Sequence, residues 1–164
     1  MRKFFVVLIA VAALALTGLA SATGAQGVYG TGIQRFDVPS VNVQGSFTLS
    51  LSATTLPSGA VVGHHNVVLQ YKSPQVSFGM LQAKPIYVET DGPIACVVSE
   101  VTMLIDWPSP PSFQPVMTVA RIVDVPGGPD IFGSSNYSSP QDPEAACSAG
   151  ATSPITDGNF TINP

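Results

Sequence analysis

Apolar and polar residues alternate along positions 41–52, and this pattern constrains the fold more than any other feature of the chain. The apolar members are Val41, Val43, Phe47, Leu49 and Leu51, and most of the residues between them are polar. Because successive side chains of an extended strand point to opposite faces, a period of two predicts a half-buried β-strand. Such a strand packs one face on a core and exposes the other to water, as antiparallel sheets allow.

Further apolar runs lie between clusters of glycine and proline, and this arrangement is typical of strands joined by turns. A turn at residues 56–60 predicts that the segments 41–52 and 61–71 form a hairpin. The other predicted strands are 33–38, 77–82, 86–89, 94–107, 116–124 and 159–163. Residues 27–32 are interpreted as a flexible lead-in to the first strand, and no later segment has helical spacing. We therefore expect an all-β fold, an antiparallel barrel or β-sandwich of about eight strands.

The first 22 residues have the features of a secretory signal peptide. Arg2 and Lys3 precede an apolar stretch over residues 4–19, and Ala20-Ser21-Ala22 supplies a cleavage site. We expect a mature chain that begins at Thr23, forms a single domain over residues 23–164 and is secreted or periplasmic. No later apolar run reaches the roughly 20 residues that span a bilayer, so no membrane span is expected after cleavage.

Charge limits the partners of the mature chain. Four basic and ten acidic side chains remain after residue 22, a net charge of −6. A chain without a basic surface is not expected to bind nucleic acid or anionic lipid. No motif predicts a cofactor, so none is expected.

The two cysteines, Cys96 and Cys147, are predicted to form a disulfide, since thiols oxidise outside the cytoplasm. Closing a loop of this length stabilises a fold by about 4 kcal/mol in the chain-entropy model. A nucleophilic thiol is the less favoured alternative, because no C-x-x-C motif surrounds either residue. Cys147 lies in a region rich in Gly, Ser and Pro, residues 126–158, which is predicted to be mostly loop.

His64 and His65 are the only histidines of the chain, and both are candidates for ligand binding. On a strand they project to opposite faces, so they cannot bind one ion together, and a zinc site would need further ligands from other strands. A serine hydrolase would need one histidine with an acid, but no G-x-S-x-G motif is present and no catalytic residue is assigned. If either histidine has a role, we expect it to act alone.

Other candidate sites depend on common residue types. Trp107 and Tyr71 could offer flat rings to a ligand, although a single Trp is more often packed in a core. Asp124 and Asp130 are weak calcium candidates in a Gly/Pro-rich loop, but the spacing matches no EF-hand, and an ordinary turn is the preferred interpretation. No metal is therefore expected.

The order of strands, turns and cysteines resembles a class of small secreted bacterial β-barrel-like proteins. The matching elements are a Gly-x-Gly opening at residues 30–32, the two cysteines, and a closing Gly158-Asn159 strand. Val125-Pro126 stands where those proteins usually have Asn-Gly, so no loop chemistry carries over. The resemblance implies an antiparallel barrel-like fold with a disulfide, and it implies no activity because none is assigned to the class.

The preferred functional hypothesis is an exported, non-enzymatic β-domain. It would bind a small molecule, a glycan or a protein, or serve as a structural component of the envelope, because catalytic motifs are absent and long polar loops often carry binding sites. The alternative is a secreted hydrolase that uses His64 or His65 with an acidic residue.

Overall fold

A computed structural model describes residues 25–39, 42–73, 77–108, 112–148, 153–154 and 157–164. The predicted signal peptide lies outside these residues. Nine strands and one short helix, α1, occur in the described part. They are β1 (Gly27–Val38), β2 (Val43–Thr55), β3 (Val61–Ser73), β4 (Ser77–Asp91), β5 (Ile94–Ile105), β6 (Met117–Val123), β7 (Ile131–Tyr137), α1 (Pro143–Ser148), β8 (Ser153–Pro154) and β9 (Asp157–Asn163).

All nine strands belong to one antiparallel sheet with the order β8-β7-β6-β5-β4-β3-β2-β1-β9. From β1 to β7 each strand pairs with the next along the chain, and β9 returns to pair with β1. The two edge strands, β8 and β9, are separated in sequence by residues 155–156 alone and run in the same direction. Because β8 pairs with β7 and β9 pairs with β1, the two short strands together serve as the eighth strand of the sheet. The antiparallel, barrel-like fold class is confirmed.

Contacts between distant strands show how strongly the sheet curls. The rings of Phe47 on β2 and Phe132 on β7 stack with centroids 5.6 Å apart, and Phe132 also contacts Phe160 on β9 at 6.2 Å. Five steps of the sheet separate β2 from β7, so a flat sheet could not bring these rings together. The inner face of the curl holds the main core, which includes Leu49, Leu51, Val67, Leu81, Val97 and Ile122.

A second, smaller core lies on the outer face of β5 and β6, beneath α1. Ala146 of the helix packs there with Val98 and Val119 of the sheet, beside Cys96 and Cys147. These cysteines form the predicted disulfide, with their Cα atoms 5.8 Å apart. The helix is short, and no helix in the described ranges is long and apolar enough to cross a membrane.

Three predictions of local structure differ from the structure in more than their end residues. The two strands predicted at 77–82 and 86–89 form the single strand β4, whose pairing with β5 is irregular at Gln82/Ala83 and Pro85/Tyr87. Proline cannot donate a ladder hydrogen bond, and such an irregularity accommodates it within a strand. The irregularity interrupts the alternation of apolar and polar residues along β4. The sequence pattern therefore predicted two strands where the structure has one.

The predicted lead-in at residues 27–32 is instead the first half of β1, which pairs on both sides, with β2 and β9. A Cβ atom at Gly30 would overlap the carbonyl oxygen of Asn159, so the absence of a side chain allows this close approach. Glycine here serves strand packing and not flexibility.

The region 126–158, predicted to be mostly loop, contains β7, α1 and β8. The polar composition of this region did not predict α1, which is ordered by the disulfide and by the smaller core on the outer face of β5 and β6. Asp142 caps this helix, since its Oδ1 accepts a hydrogen bond from the Ala145 amide at 3.0 Å, and Pro143 occupies the first helical position.

Candidate functional site

A cleft of about 450 Å³ opens on the outer face of the sheet, between β4 and α1. Its lining includes Tyr87, Glu89, Asp91, Arg121, Glu144 and the Cys96–Cys147 disulfide. The volume falls within the range of about 300–1,000 Å³ that is usual for small-molecule sites. Five of these side chains carry charged or hydrogen-bonding groups, so the cleft is the principal candidate site.

The β4 wall of the cleft follows from strand alternation. Beyond the irregularity at Pro85/Tyr87, Val88 joins the inner core, so its neighbours Tyr87 and Glu89 face outward. Asp91, two residues further along, lies on the same outer face. An aromatic ring and two carboxylates therefore line one side of the cleft.

The opposite wall is α1, which the disulfide attaches to β5. Glu144 lies in the first turn of this helix, where a negative charge is favoured by the helix dipole. Because Cys147 is bonded to Cys96 and Ala146 is buried, the helix cannot shift freely over the sheet. Glu144 is thus held across the cleft from the β4 carboxylates.

Negative potential dominates the cleft. The hydroxyl of Tyr87 donates a hydrogen bond to Glu89 Oε2 at 3.4 Å. Desolvation by partial burial raises the pKa of Tyr87, and the charges of Glu89, Glu144 and Asp142 raise it further. Arg121 contributes one positive charge, and its Nη1 donates to the Cys147 carbonyl oxygen at 3.5 Å. Three carboxylates and one guanidinium leave the lining with a charge of −2.

The two histidines lie on opposite faces of β3. His64 is exposed to solvent, whereas His65 is 0% exposed within the curl of the sheet. The Nδ1 atom of His65 lies 3.0 Å from Ser99 Oγ, and its buried Nε2 has no hydrogen-bond partner among the described residues. Burial, and then the neighbouring His64, lower the pKa of His65 to about 4. At neutral pH this imidazole is therefore uncharged.

The other candidate ligand-binding side chains lie apart from the cleft. Trp107 is partly buried against the inner core. Tyr71 is half-buried, and its ring makes an edge contact with Phe36 at 5.9 Å. Ring binding at either residue stays a prediction.

The calcium candidates also lie elsewhere. Asp130 is 1% exposed, and its two carboxylate oxygens accept hydrogen bonds from the backbone amides of Val125 at 3.0 Å and Phe160 at 2.6 Å. Asp124 is half-buried in the same loop. Within the described ranges, no three His, Cys, Asp or Glu side chains are placed to hold a metal ion.

Sequence reasoning predicted the disulfide that lies in the cleft but missed the cleft itself. One usable signal was Asp142-Pro143-Glu144, which combines a cap, a first-turn proline and a first-turn acid, the features of a helix start. Nothing in the sequence indicated that this helix would face the acids of β4. That proximity depends on the disulfide and on the pairing of β4 with β5.

Comparison with known proteins identifies no relative: no family model, no curated protein and no solved structure matches the chain. A function for the chain is therefore inferred from the geometry and charge of its own residues.

Proposed function

We propose that the chain is an exported, non-enzymatic binding protein whose outer cleft takes a small organic cation with two amino groups. The observation that carries this proposal is the −2 charge of a 450 Å³ cleft lined by Tyr87, Glu89, Asp91, Glu144 and Arg121. A linear diamine balances this charge. Its methylene chain can also lie against the Tyr87 ring and the disulfide.

The spacing of the acids favours an extended cation over a compact one. Glu89 and Asp91 lie on β4, and Glu144 lies on α1, so their charges are distributed along two walls. The described residues do not gather three such ligands around one point that could hold a metal ion. Ammonium groups at the two ends of a short chain could reach carboxylates on both walls and form charge-assisted hydrogen bonds.

Rigidity supports specific binding in the cleft. The disulfide and the buried Ala146 hold one wall, and residues 87–91 of β4, which form the other wall, pair with β5 in regular register. A site that is ordered before binding loses less conformational entropy when the ligand arrives. The disulfide also supports export, because such bonds persist in oxidising compartments.

The alternative of a hydrolase has less support. His65 has a serine hydroxyl at hydrogen-bond distance, but His65 and Ser99 are both 0% exposed. A substrate could not reach either side chain without opening the core. His64 is exposed, and no hydrogen bond in the described part joins it to a serine.

Calorimetric titration with putrescine tests the proposal. We expect saturable binding that weakens as salt is added, since the attraction is ionic and partly exposed. The neutral isostere 1,4-butanediol should bind at least about tenfold more weakly, a difference of about 1.4 kcal/mol. No binding of putrescine, or equal binding of the two compounds, would contradict the proposal.

Matched variants locate the site. Replacing Glu89 and Glu144 by glutamine removes two charges with little change of shape and should weaken putrescine binding about tenfold or more. Glu100→Gln is the control, because Glu100 is an exposed acid on β5 outside the cleft lining. Equal putrescine affinities of the Glu89/Glu144 double variant and the Glu100→Gln control would show that any binding lies outside the cleft.

A further inference from the structure

A second pocket, of about 250 Å³, lies on the inner face of the curled sheet. It is lined by Gln34 and Phe36 of β1, Phe47 of β2, and Phe132 and Ser134 of β7. Because β1 and β2 are far from β7 in the strand order, the pocket exists only through the curl. It lies on the opposite face of the sheet from the acidic cleft.

Three phenylalanine rings form a preorganised apolar wall. Phe132 is 1% exposed and is held between Phe47, stacked at 5.6 Å, and Phe160, at 6.2 Å. Phe36 is held by its edge contact with Tyr71. Gly45 leaves space for the Phe36 ring, since a Cβ atom at Gly45 would lie 2.5 Å from its Cζ atom.

Two neutral polar side chains complete the lining. The Gln34 amide can donate and accept hydrogen bonds, and so can the Ser134 hydroxyl. Ser134 Oγ lies 3.5 Å from Thr118 Oγ1, which is a long contact that leaves the hydroxyl able to turn toward a ligand. Gln34, Phe36, Phe47 and Ser134 are each partly exposed, so the pocket is open to solvent.

We infer that this inner pocket is a second binding site, for a small neutral ring compound that carries a hydroxyl or carbonyl group. None of its five lining residues is ionisable, which disfavours charged ligands. An apolar cavity of about 150 Å³ accommodates benzene, so a larger pocket has space for a ring with a short substituent. The phenylalanine rings contact the ring of the ligand, and Gln34 and Ser134 bind its polar group.

The inference does not depend on the acidic cleft. A cation in the cleft contacts the outer face of β4 and α1, whereas this ligand contacts β1, β2 and β7 from inside. The two sites can therefore be tested separately in one protein, and the failure of one leaves the other untouched.

Ligand titrations followed by amide NMR shifts test the site, with p-cresol and toluene as probes. We expect p-cresol to bind with a Kd of about 1 mM or tighter, as befits so small a ligand, and to shift amides near Gln34, Phe47 and Ser134. Absence of binding, or shifts confined to other parts of the sheet, would overturn the inference.

A double variant, Gln34→Leu with Ser134→Ala, removes both polar groups while keeping the rings. It should weaken p-cresol about tenfold, which corresponds to one or two lost hydrogen bonds, and leave toluene unchanged. The control is Gln70→Leu with Ser135→Ala, the same exchanges at positions outside the pocket lining on β3 and β7. Unchanged p-cresol affinity in a folded double variant, as judged by its amide spectrum, would overturn the assigned polar contacts.

Discussion

The imidazole of His65 and the hydroxyl of Ser99 meet at 3.0 Å in the interior, although β4 lies between their strands. The residue of β4 that pairs with His65 is Ala83, whose small side chain lets the imidazole reach across to β5. Both partners are 0% exposed. This buried polar pair joins β3 to β5 across β4 and makes stability sensitive to pH and to loss of either side chain.

Acid should destabilise the fold through His65. Its pKa is about 4 in the folded chain against 6.5 for an ordinary histidine, so the unfolded chain binds the proton first as the pH falls. The stability contributed by neutral His65 is complete above pH 6.5 and is lost as the pH falls from 6.5 toward 4. We expect a loss of about 2–3 kcal/mol between pH 7 and pH 4.5.

Urea unfolding of two variants checks this pH dependence. His65→Leu should flatten the change between pH 7 and pH 4.5, because the leucine does not titrate. His64→Gln, which alters the exposed neighbour, should retain most of it. Equal slopes in wild type and His65→Leu would mean that other groups control acid stability.

Ser99→Ala should lower the free energy of unfolding at pH 7 by about 1–3 kcal/mol. The substitution removes the described hydrogen-bond partner of His65 Nδ1. Both ring nitrogens are then buried without a hydrogen-bond partner, and the free-energy cost of their desolvation is not compensated. Ser50→Ala, at a half-buried position on β2, is the comparison and should change stability little. Similar losses for both serines would indicate that the His65 contact has no special weight.

Asp130→Asn should destabilise the chain by about 2–3 kcal/mol. Asp130 connects the loop before β7 to β9 by accepting hydrogen bonds from the Val125 and Phe160 amides, and an amide side chain offers only one acceptor oxygen and no charge. Asp124→Asn, in the same loop, is the matched control. Chemical denaturation measures both, and faster hydrogen exchange at Phe160 should accompany the first variant only.

Removing the disulfide with Cys96→Ala and Cys147→Ala should cost about 4 kcal/mol of stability, given the 51-residue separation. The same change should weaken putrescine binding, since α1 and Glu144 lose their attachment to β5. Denaturation with and without reductant measures the first effect, and calorimetry the second. A stable double variant with unchanged cation affinity would show that outer-core packing alone positions the helix.

Much of the fold follows from local sequence pattern. The alternation over residues 41–52 predicted β2, and the turn at 56–60 predicted its hairpin with β3, because both signals act within a few residues. The disulfide could also be predicted from the sequence, since the chain contains only two cysteines. Strand alternation also separated His64 from His65 without knowledge of the tertiary structure.

The sites depend on contacts that no local pattern contains. Which histidine faces inward is set by the register of β3 against Leu51 and Ala83. The acidic cleft forms only because α1 is held over β5. The inner pocket forms only because the sheet curls until Phe132 contacts Phe47. The sequence by itself determined most of the strands, the turn between β2 and β3, and the disulfide, because these follow from periodicity and covalent chemistry. Tertiary structure alone decided which distant side chains share a cavity, because burial and curvature depend on the packing of the whole sheet.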